Sequence, residues 1–201
     1  DYPINQPAEL VIAPSDPYTM YCSIANRVFH SQDGGVTWQM RSEGLPVASP
    51  EELTVDPRDA SMVYAAYRQS GTVYTSTNAG QEWSQAPFTI PMTSDGQGGI
   101  WALAADPYQD KTVWLGSFTQ GFYRSTDGGK TFAEVTSLST VAHQSWFSTI
   151  EFDPNQDRIY VGTIGPNDAI HYSDDSGSIW HGLGMNGSGG ADIAVTPGDS
   201  D

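Results

Sequence analysis

The stretch Ser125-Thr126-Asp127-Gly128-Gly129-Lys130-Thr131-Phe132 determines the fold expected for this chain, because its pattern occurs four times. The other three octets begin at Ser31, Ser76 and Ser173. The four first serines are 45, 49 and 48 residues apart along the 201-residue chain. A nearly fixed period of this size indicates a repeat architecture.

Each octet contains the residue types that a tight turn between two strands requires. Gly supplies backbone with positive φ at little steric cost, and Asp or Asn can bond its own backbone two residues on. The closing Trp or Phe starts the next strand with a large apolar surface, which suits a half-buried pleated position. Each octet therefore predicts a strand, a tight turn and a second strand.

A second repeated feature precedes each octet, namely an apolar triplet, a Pro corner and an apolar run with an aromatic residue. The corners are Ala13-Pro14, Asp56-Pro57, Asp106-Pro107, Asp153-Pro154 and Thr196-Pro197. Alignment on the prolines gives two columns, Tyr21, Tyr64, Trp114 and Tyr160 in the first, and Cys22, Ala65, Leu115 and Val161 in the second. Cys22 is therefore interpreted as a small core residue and not as a nucleophile.

Each repeat is predicted to hold four antiparallel strands, A to D, which is the content of one β-propeller blade. The predicted blades cover about residues 9–43, 52–86, 100–135 and 148–182, and residues 191–199 match the first strand of a fifth blade. The predicted fold is thus all-β, a single partial propeller over residues 1–201 and part of a larger one. The alternative is a closed four-bladed ring with the last strand as a latch or tail.

The octets resemble the Asp-box, S-x-D-x-G-x-T-W, of the bacterial-neuraminidase-type repeats found in β-propellers. The first copy fits throughout, and the third has Phe132 at the Trp position. The second has Asn78 for Asp and Glu82 for Thr, and the fourth has Ile179 for Thr. The resemblance implies a structural turn at the periphery, away from the ligand face. It assigns this role to Ser31, Asp33, Gly35, Trp38, Ser76, Asn78, Gly80, Trp83, Ser125, Asp127, Gly129, Phe132, Ser173, Asp175, Gly177 and Trp180.

A recognition surface is expected where the loops from strand D to the next strand A crowd one end of the channel. Residues 87–99 and 137–148 form the two loops that are longer than a structural link requires. The candidate ligand-binding residues at that face are Trp146, Trp101, Tyr67, Phe118, His143, Arg68, Asp95 and Asp168. Such aromatic rings beside carboxylates suit sugar rings or a peptide. The alternative is that Trp101 and Trp146 plug the channel and the blade seams as buried apolar residues.

No catalytic residue is predicted from the spacing of acidic side chains. Glycosidase chemistry needs two carboxyl groups at a set separation. Residues that could supply them are Asp95, Asp168, Asp192, Glu51 and Glu52, but no pair is singled out. His143 has no second His or Cys at ligand spacing, so neither a metal nor another cofactor is predicted.

The combination of an Asp-Pro corner, a V-Y or V-W strand and an S-T-D-G-G-K-T octet is similar to three groups of propellers. These are the secreted family-74 glycoside hydrolases (xyloglucanases), the sortilin-type receptors and the photosystem-assembly propellers. Sialidases share the octet, but their arginine triad and Arg-Ile-Pro motif are not recognisable here. The sequences that surround the catalytic aspartates in family 74 are not recognisable in this chain either.

Charge narrows the class of partner. With 8 basic and 24 acidic side chains, the formal charge is −16. A surface with this much negative charge repels phosphate backbones and anionic membranes. No nucleic-acid partner is therefore predicted. No apolar run approaches transmembrane length, so no membrane insertion is predicted. We expect an extracellular or cell-surface location, with the periplasm as a second compartment.

The leading hypothesis is a binding module that presents its loop face to a polysaccharide or a partner protein. The first alternative is an extracellular glycoside hydrolase acting on β-glucan-type polymers. The second is a structural subunit of an extracellular assembly. If the chain stands alone, its two terminal blades expose apolar faces and are expected to associate.

Overall fold

The computed structural model describes residues 9–92, 94–139, 142, 146–165, 169–185 and 192–196. Within them, sixteen strands form four antiparallel sheets of four strands each, and the strands of each sheet lie in chain order. One short helix, α1 (Thr136–Ser139), occurs in the same residues. The all-β class with four-stranded antiparallel blades is therefore confirmed.

The four sheets have the following bounds. Sheet 1 contains β1 (Glu9–Ala13), β2 (Asp16–Ile24), β3 (Arg27–Ser31) and β4 (Gln39–Met40). Sheet 2 contains β5 (Glu52–Asp56), β6 (Asp59–Tyr67), β7 (Thr72–Ser76) and β8 (Ser84–Thr89). Sheet 3 contains β9 (Ile100–Ala105), β10 (Val113–Ser117), β11 (Phe122–Ser125) and β12 (Ala133–Glu134). Sheet 4 contains β13 (Trp146–Phe152), β14 (Ile159–Ile164), β15 (Ile170–Ser173) and β16 (His181–Gly182).

The first strands of successive sheets lie side by side, since β1 contacts β5, β5 contacts β9, and β9 contacts β13. An apolar cluster fills each of the three junctions between successive sheets. Because side chains alternate between the two faces of a strand, each inner sheet can contribute to the junctions on both of its sides. This stacking of sheets is the blade arrangement of a propeller.

The first aligned column faces the following sheet. Tyr21, Tyr64 and Trp114 are fully buried in the junctions between sheets. The Tyr21 hydroxyl donates a hydrogen bond of 2.7 Å to the carbonyl of Ala60 in sheet 2. The fourth member, Tyr160, is half-buried, and no described sheet follows sheet 4.

The second column faces the preceding sheet. Ala65, Leu115 and Val161 are fully buried, but Cys22 is half-buried, which corrects its interpretation as a core residue. Cys22 pairs in register with Leu10 and Phe29, and Leu10 is 58% exposed. The physical reason is that no described sheet covers this side of sheet 1. We call this side the free face of sheet 1, and the Tyr160 side the free face of sheet 4.

Residues 192–196 are the described part of the predicted first strand of a fifth blade (191–199), and they form no strand. An extended segment becomes a strand only when a neighbouring strand accepts and donates its backbone hydrogen bonds. The described residues contain no fifth sheet that could provide such a neighbour.

Candidate functional site

The octets use their polar groups to build turns. In all four copies the serine hydroxyl accepts the N–H of the glycine four residues on, at 2.9 Å. The Asp or Asn side chain accepts the N–H four residues beyond itself, at 2.8 to 3.0 Å. The Thr37 hydroxyl and amide and the Ser31 hydroxyl lower the pKa of Asp33 to about 2. These carboxylates are ionised and bonded within the turn, so the octets are poor candidates for a reactive site.

Three aromatic side chains meet at the opposite end of the sheets, where the loops between sheets lie. We call Trp101, Phe118 and Trp146 the aromatic row. The ring centroids of Phe118 and Trp146 are 4.0 Å apart, and those of Phe118 and Trp101 are 5.4 Å apart. Trp146 is 37% exposed, whereas Phe118, which packs against it, is 9% exposed. The row therefore offers one accessible indole supported by two further rings.

Backbone hydrogen bonds hold the row in place. Phe118 and Trp146 form an isolated antiparallel bridge that joins sheet 3 to sheet 4. The Gly98 N–H donates to the Phe118 carbonyl at 2.9 Å, and the Trp101 indole N–H donates to the Gly98 carbonyl at 3.2 Å. The loop between β8 and β9 is thus attached to two members of the row.

Arg68 connects the row to carboxyl groups at the start of β5. Its guanidinium carbon lies 4.2 Å from the centroid of the Trp101 ring, in a cation–π contact. Its Nη2 atom lies 3.3 Å from Oε1 of Glu52. Its backbone N–H donates to Glu51 at 2.9 Å. Both the side chain and the backbone of Arg68 are therefore positioned by acidic residues.

Two carboxyl groups here have strongly raised pKa values. Burial raises the pKa of Glu9 to about 8, and the nearby Glu52 carboxylate adds to this effect. Burial also raises the pKa of Glu52 to about 7, against the opposing influence of Arg68. A buried Oε2 atom of Glu9 has no hydrogen-bond partner. At neutral pH this pair retains a proton, a property found at functional sites more often than elsewhere.

The acidic residues singled out as candidates in the sequence did not include Glu9, although the sequence contains a signal for it. Glu9 and Glu52 both stand five residues before the corner proline of their repeat and both begin the first strand of a sheet. Because β1 lies beside β5, equivalent positions on the two strands become neighbours. The alignment on the prolines could therefore have paired them.

The structure places the other candidate residues differently. Tyr67 is 3% exposed and meets the Tyr74 ring edge-on at 5.5 Å, so its ring does not face solvent. Asp95 is exposed, and its Oδ1 accepts the N–H of Gln97 at 3.4 Å. His143 and Asp168 lie outside the described residues. The structure thus brings Trp101, Phe118, Trp146 and Arg68 together.

Two clefts open between neighbouring octets, away from the row. One, of about 370 Å³, is lined by Arg124, Glu134 and Ser176 among others, and the second, of about 350 Å³, by Thr75 and Lys130 among others. None of the six predicted ligand-binding residues that the structure describes lines either cleft. These clefts are consequently weaker candidates than the loop face.

The described part of the chain holds no candidate metal centre and no candidate membrane-spanning helix. It contains no group of three or more His, Cys, Asp or Glu side chains that could hold a metal ion. None of its helices has the length and hydropathy needed to cross a membrane.

Among known proteins, the chain is similar in sequence to xyloglucanases. No family model matches the chain. A xyloglucanase from Acetivibrio thermocellus is 30% identical over 166 residues, which cover 65% of this chain and 19% of that protein. A xyloglucanase from Hypocrea jecorina is 29% identical over 163 residues, which cover 65% of this chain and 20% of that protein. The chain thus spans about a fifth of the length of these curated relatives.

The same similarity is found among solved structures. The GH74 enzyme of Niastella koreensis superposes with a TM-score of 0.69 at 22% identity, over 88% of this chain and 30% of that one. At this level of identity the superposition shows a shared fold. Sequence and fold together support the resemblance to GH74 xyloglucanases.

Proposed function

We propose that this chain is part of a larger β-propeller glycoside hydrolase of the xyloglucanase type, which acts outside the cell. In this proposal the loop face binds a β-glucan-type polysaccharide, and the octets are Asp boxes that shape the outer turns. The observation that carries the proposal is the aromatic row at the loop face of a chain whose relatives are xyloglucanases.

The row has the properties that binding of a neutral sugar requires. A β-linked glucosyl unit presents apolar C–H groups on its ring faces, and these pack favourably on an aromatic ring. Ligand sites in general combine aromatic walls with a few polar groups that fix orientation. Here Trp146 provides exposed aromatic surface, Phe118 and Trp101 support it, and Arg68 and Glu52 are polar groups at the end of the row.

Hydrolysis would depend on carboxyl groups placed on both sides of the scissile bond. We infer that further blades pack on the free faces of sheets 1 and 4 and that the catalytic pair is completed there. The half-buried Cys22 and Tyr160 support this inference, because the equivalent residues of the inner sheets are fully buried. A non-catalytic polysaccharide-binding module is the second candidate, and the same aromatic row favours it.

The test compares two tryptophans that are equally exposed. Trp146 and Trp38 are both 37% exposed, but Trp38 belongs to the first octet, at the opposite end of the sheets. Trp146→Ala should weaken binding of a xyloglucan oligosaccharide at least about tenfold, which corresponds to about 1.4 kcal/mol. Trp38→Ala should leave binding unchanged.

Isothermal titration calorimetry measures the affinity of the 201-residue chain. Release of reducing ends from xyloglucan, assayed with a protein that carries the further blades proposed above, distinguishes a hydrolase from a binding module. Equal affinities in Trp146→Ala and the wild type would refute the proposed loop-face site. Both variants should be checked by thermal unfolding, because a loss of binding that follows a loss of folding would not identify a site.

A further inference from the structure

We propose that Glu52 is a positioning residue, which holds the Arg68 guanidinium against Trp101 and thereby makes the aromatic row sensitive to pH. The effect on sugar binding rests on the proposed function. The positioning of Arg68 can be tested without any ligand.

The first step is the set of contacts that fix Arg68. Its Nη2 atom lies 3.3 Å from Oε1 of Glu52, and its guanidinium carbon lies 4.2 Å from the centroid of the Trp101 ring. Glu51 bonds the backbone amide of Arg68 and not its guanidinium. The Nε atom is buried without a hydrogen-bond partner. Glu52 is therefore the carboxylate in ion-pair contact with the Arg68 guanidinium, and Glu9 interacts with the same guanidinium through its charge.

The second step carries this orientation along the row. Trp101 packs on Phe118 at 5.4 Å, and Phe118 packs on Trp146 at 4.0 Å. A guanidinium held over Trp101 restrains that ring, and the two contacts transmit the restraint to the exposed indole. Arg68 also has N–H groups left to donate to the hydroxyl groups of a sugar bound at the row. Loss of the ion pair would remove the restraint on the indole. The N–H donors of Arg68 would also no longer be held in place.

The third step identifies the groups that set the charge of Glu52. Glu9 approaches from β1, Glu51 precedes Glu52 in the chain, and Arg68 follows β6. Tyr67 stands at the end of β6, whereas β9 has no titratable side chain between Ile100 and Ala105. Burial is the main reason that the pKa of Glu52 is raised to about 7.

The direction of the pH effect follows from these groups. At pH 6 Glu52 is largely protonated, so its ion pair with Arg68 is weakened. Between about pH 6 and 8 Glu52 loses its proton and Arg68 becomes fixed on Trp101. We therefore expect the row to be better ordered, and the affinity for a sugar to be higher, at pH 8 than at pH 6.

The ligand-free test follows the fluorescence of Trp101 in the 201-residue chain. For the wild type and for each variant, the signal of Trp101 is the difference in fluorescence between the protein with Trp101 and the same protein with Trp101→Phe. It is recorded from pH 5.5 to 8.5. It should titrate with a midpoint near 7 in the wild type and in the control Glu43→Gln, whose exposed side chain lies in the loop after sheet 1. The titration should be absent in Glu52→Gln and in Arg68→Met, and Glu52→Asp should restore part of it. A Trp101 titration that persists unchanged in Glu52→Gln would overturn the proposal.

The binding test uses a xyloglucan oligosaccharide at pH 6 and pH 8. The wild type should bind about fivefold more tightly at pH 8, which is the size of one moderate cation–π contact. Glu52→Gln should show no difference between the two pH values, and an undiminished difference would count against the proposal. If no oligosaccharide binds at either pH, the proposed function fails, while the Trp101 titration still decides whether Glu52 positions Arg68.

Discussion

Trp114 and Tyr160 are each the second residue of the second strand of their sheet, but Trp114 is fully buried and Tyr160 is not. Sheet 4 covers Trp114, and a Cβ atom on Gly177 of its octet would come within 2.6 Å of the Trp114 ring. Tyr160 instead shares its face with Tyr172, at 6.3 Å, and with Arg158. The same repeat position thus has a different environment where no described sheet follows.

This difference predicts unequal costs of truncation. Trp114→Ala should lower the free energy of unfolding by about 3–5 kcal/mol, because it leaves a cavity in a packed junction. Tyr160→Ala in the 201-residue chain should cost less than half as much, since the ring already contacts solvent there. Urea unfolding of both variants measures the two costs. Equal losses would indicate that a further part of the protein packs on Tyr160 in solution.

A second prediction concerns the turn network of the third octet. Asp127 accepts hydrogen bonds from the Thr131 amide and hydroxyl and from Ser125, at 2.6 to 2.9 Å. Asp127→Ala should destabilise the protein by about 1–2 kcal/mol, because backbone and hydroxyl donors lose their acceptor. Lys130→Ala, in the same octet, removes an exposed side chain and should change Tm little. Differential scanning calorimetry distinguishes the two, and an unchanged Tm in Asp127→Ala would contradict the structural role of the octet.

A third prediction compares two glycines of the loop between β8 and β9. Gly96 and Gly99 have φ angles of +80° and +75°, so alanine is strained at both. A Cβ on Gly99 would lie 2.4 Å from the Arg68 carbonyl oxygen, whereas nothing lies within 4 Å of one on Gly96. Gly99→Ala should therefore be clearly less stable than Gly96→Ala in thermal unfolding, and only Gly99→Ala should disturb the Trp101 fluorescence. Similar behaviour of the two variants would show that this close approach is absent in solution.

A fourth prediction concerns the pH dependence of stability. The pKa of Glu9 rises from 4.5 to about 8 on folding, chiefly through burial, so the folded state binds more protons than the unfolded state between these values. The stability that Glu9 contributes is therefore fully present below pH 4.5 and is lost as the pH rises towards 8. Glu9→Gln should lack this loss.

The measurement is urea unfolding of wild type and Glu9→Gln at several pH values between 4.5 and 8. The variant should gain stability relative to the wild type as the pH rises, and Glu43→Gln should not. His30, whose pKa is lowered by burial, changes stability in the opposite direction but equally in all three proteins. A constant difference between Glu9→Gln and the wild type would show that Glu9 is not buried in solution.

The local structure could be predicted because its causes lie within a few residues. In the octet, the serine, aspartate and glycine that bond one another are two to four positions apart. The Asp-Pro corners behave similarly, since Asp56 accepts the N–H of Arg58 and Asp106 that of Tyr108. Their repetition at a fixed spacing indicated four copies of one sheet.

The site could be predicted only in part. The location of Trp101, Phe118, Trp146 and Arg68 at the loop end of the sheets followed from the repeat, but the burial of Tyr67 and the raised pKa of Glu9 did not. Cys22 was assigned to a core because it aligns with Ala65, Leu115 and Val161, and that alignment does not show that no described sheet packs on this side of sheet 1.

The sequence by itself determined the repeating module, its turns and the two faces of each sheet, because hydrogen bonds between near neighbours and alternating side chains specify them. Only the tertiary structure decided which modules become neighbours at the loop face. Glu9 and Glu52 are 43 residues apart, and Arg68 and Trp101 are 33 apart. Contacts over such separations depend on how whole sheets pack and on the path of each loop. The raised pKa values of Glu9 and Glu52, and the guanidinium over Trp101, exist only after that packing is complete.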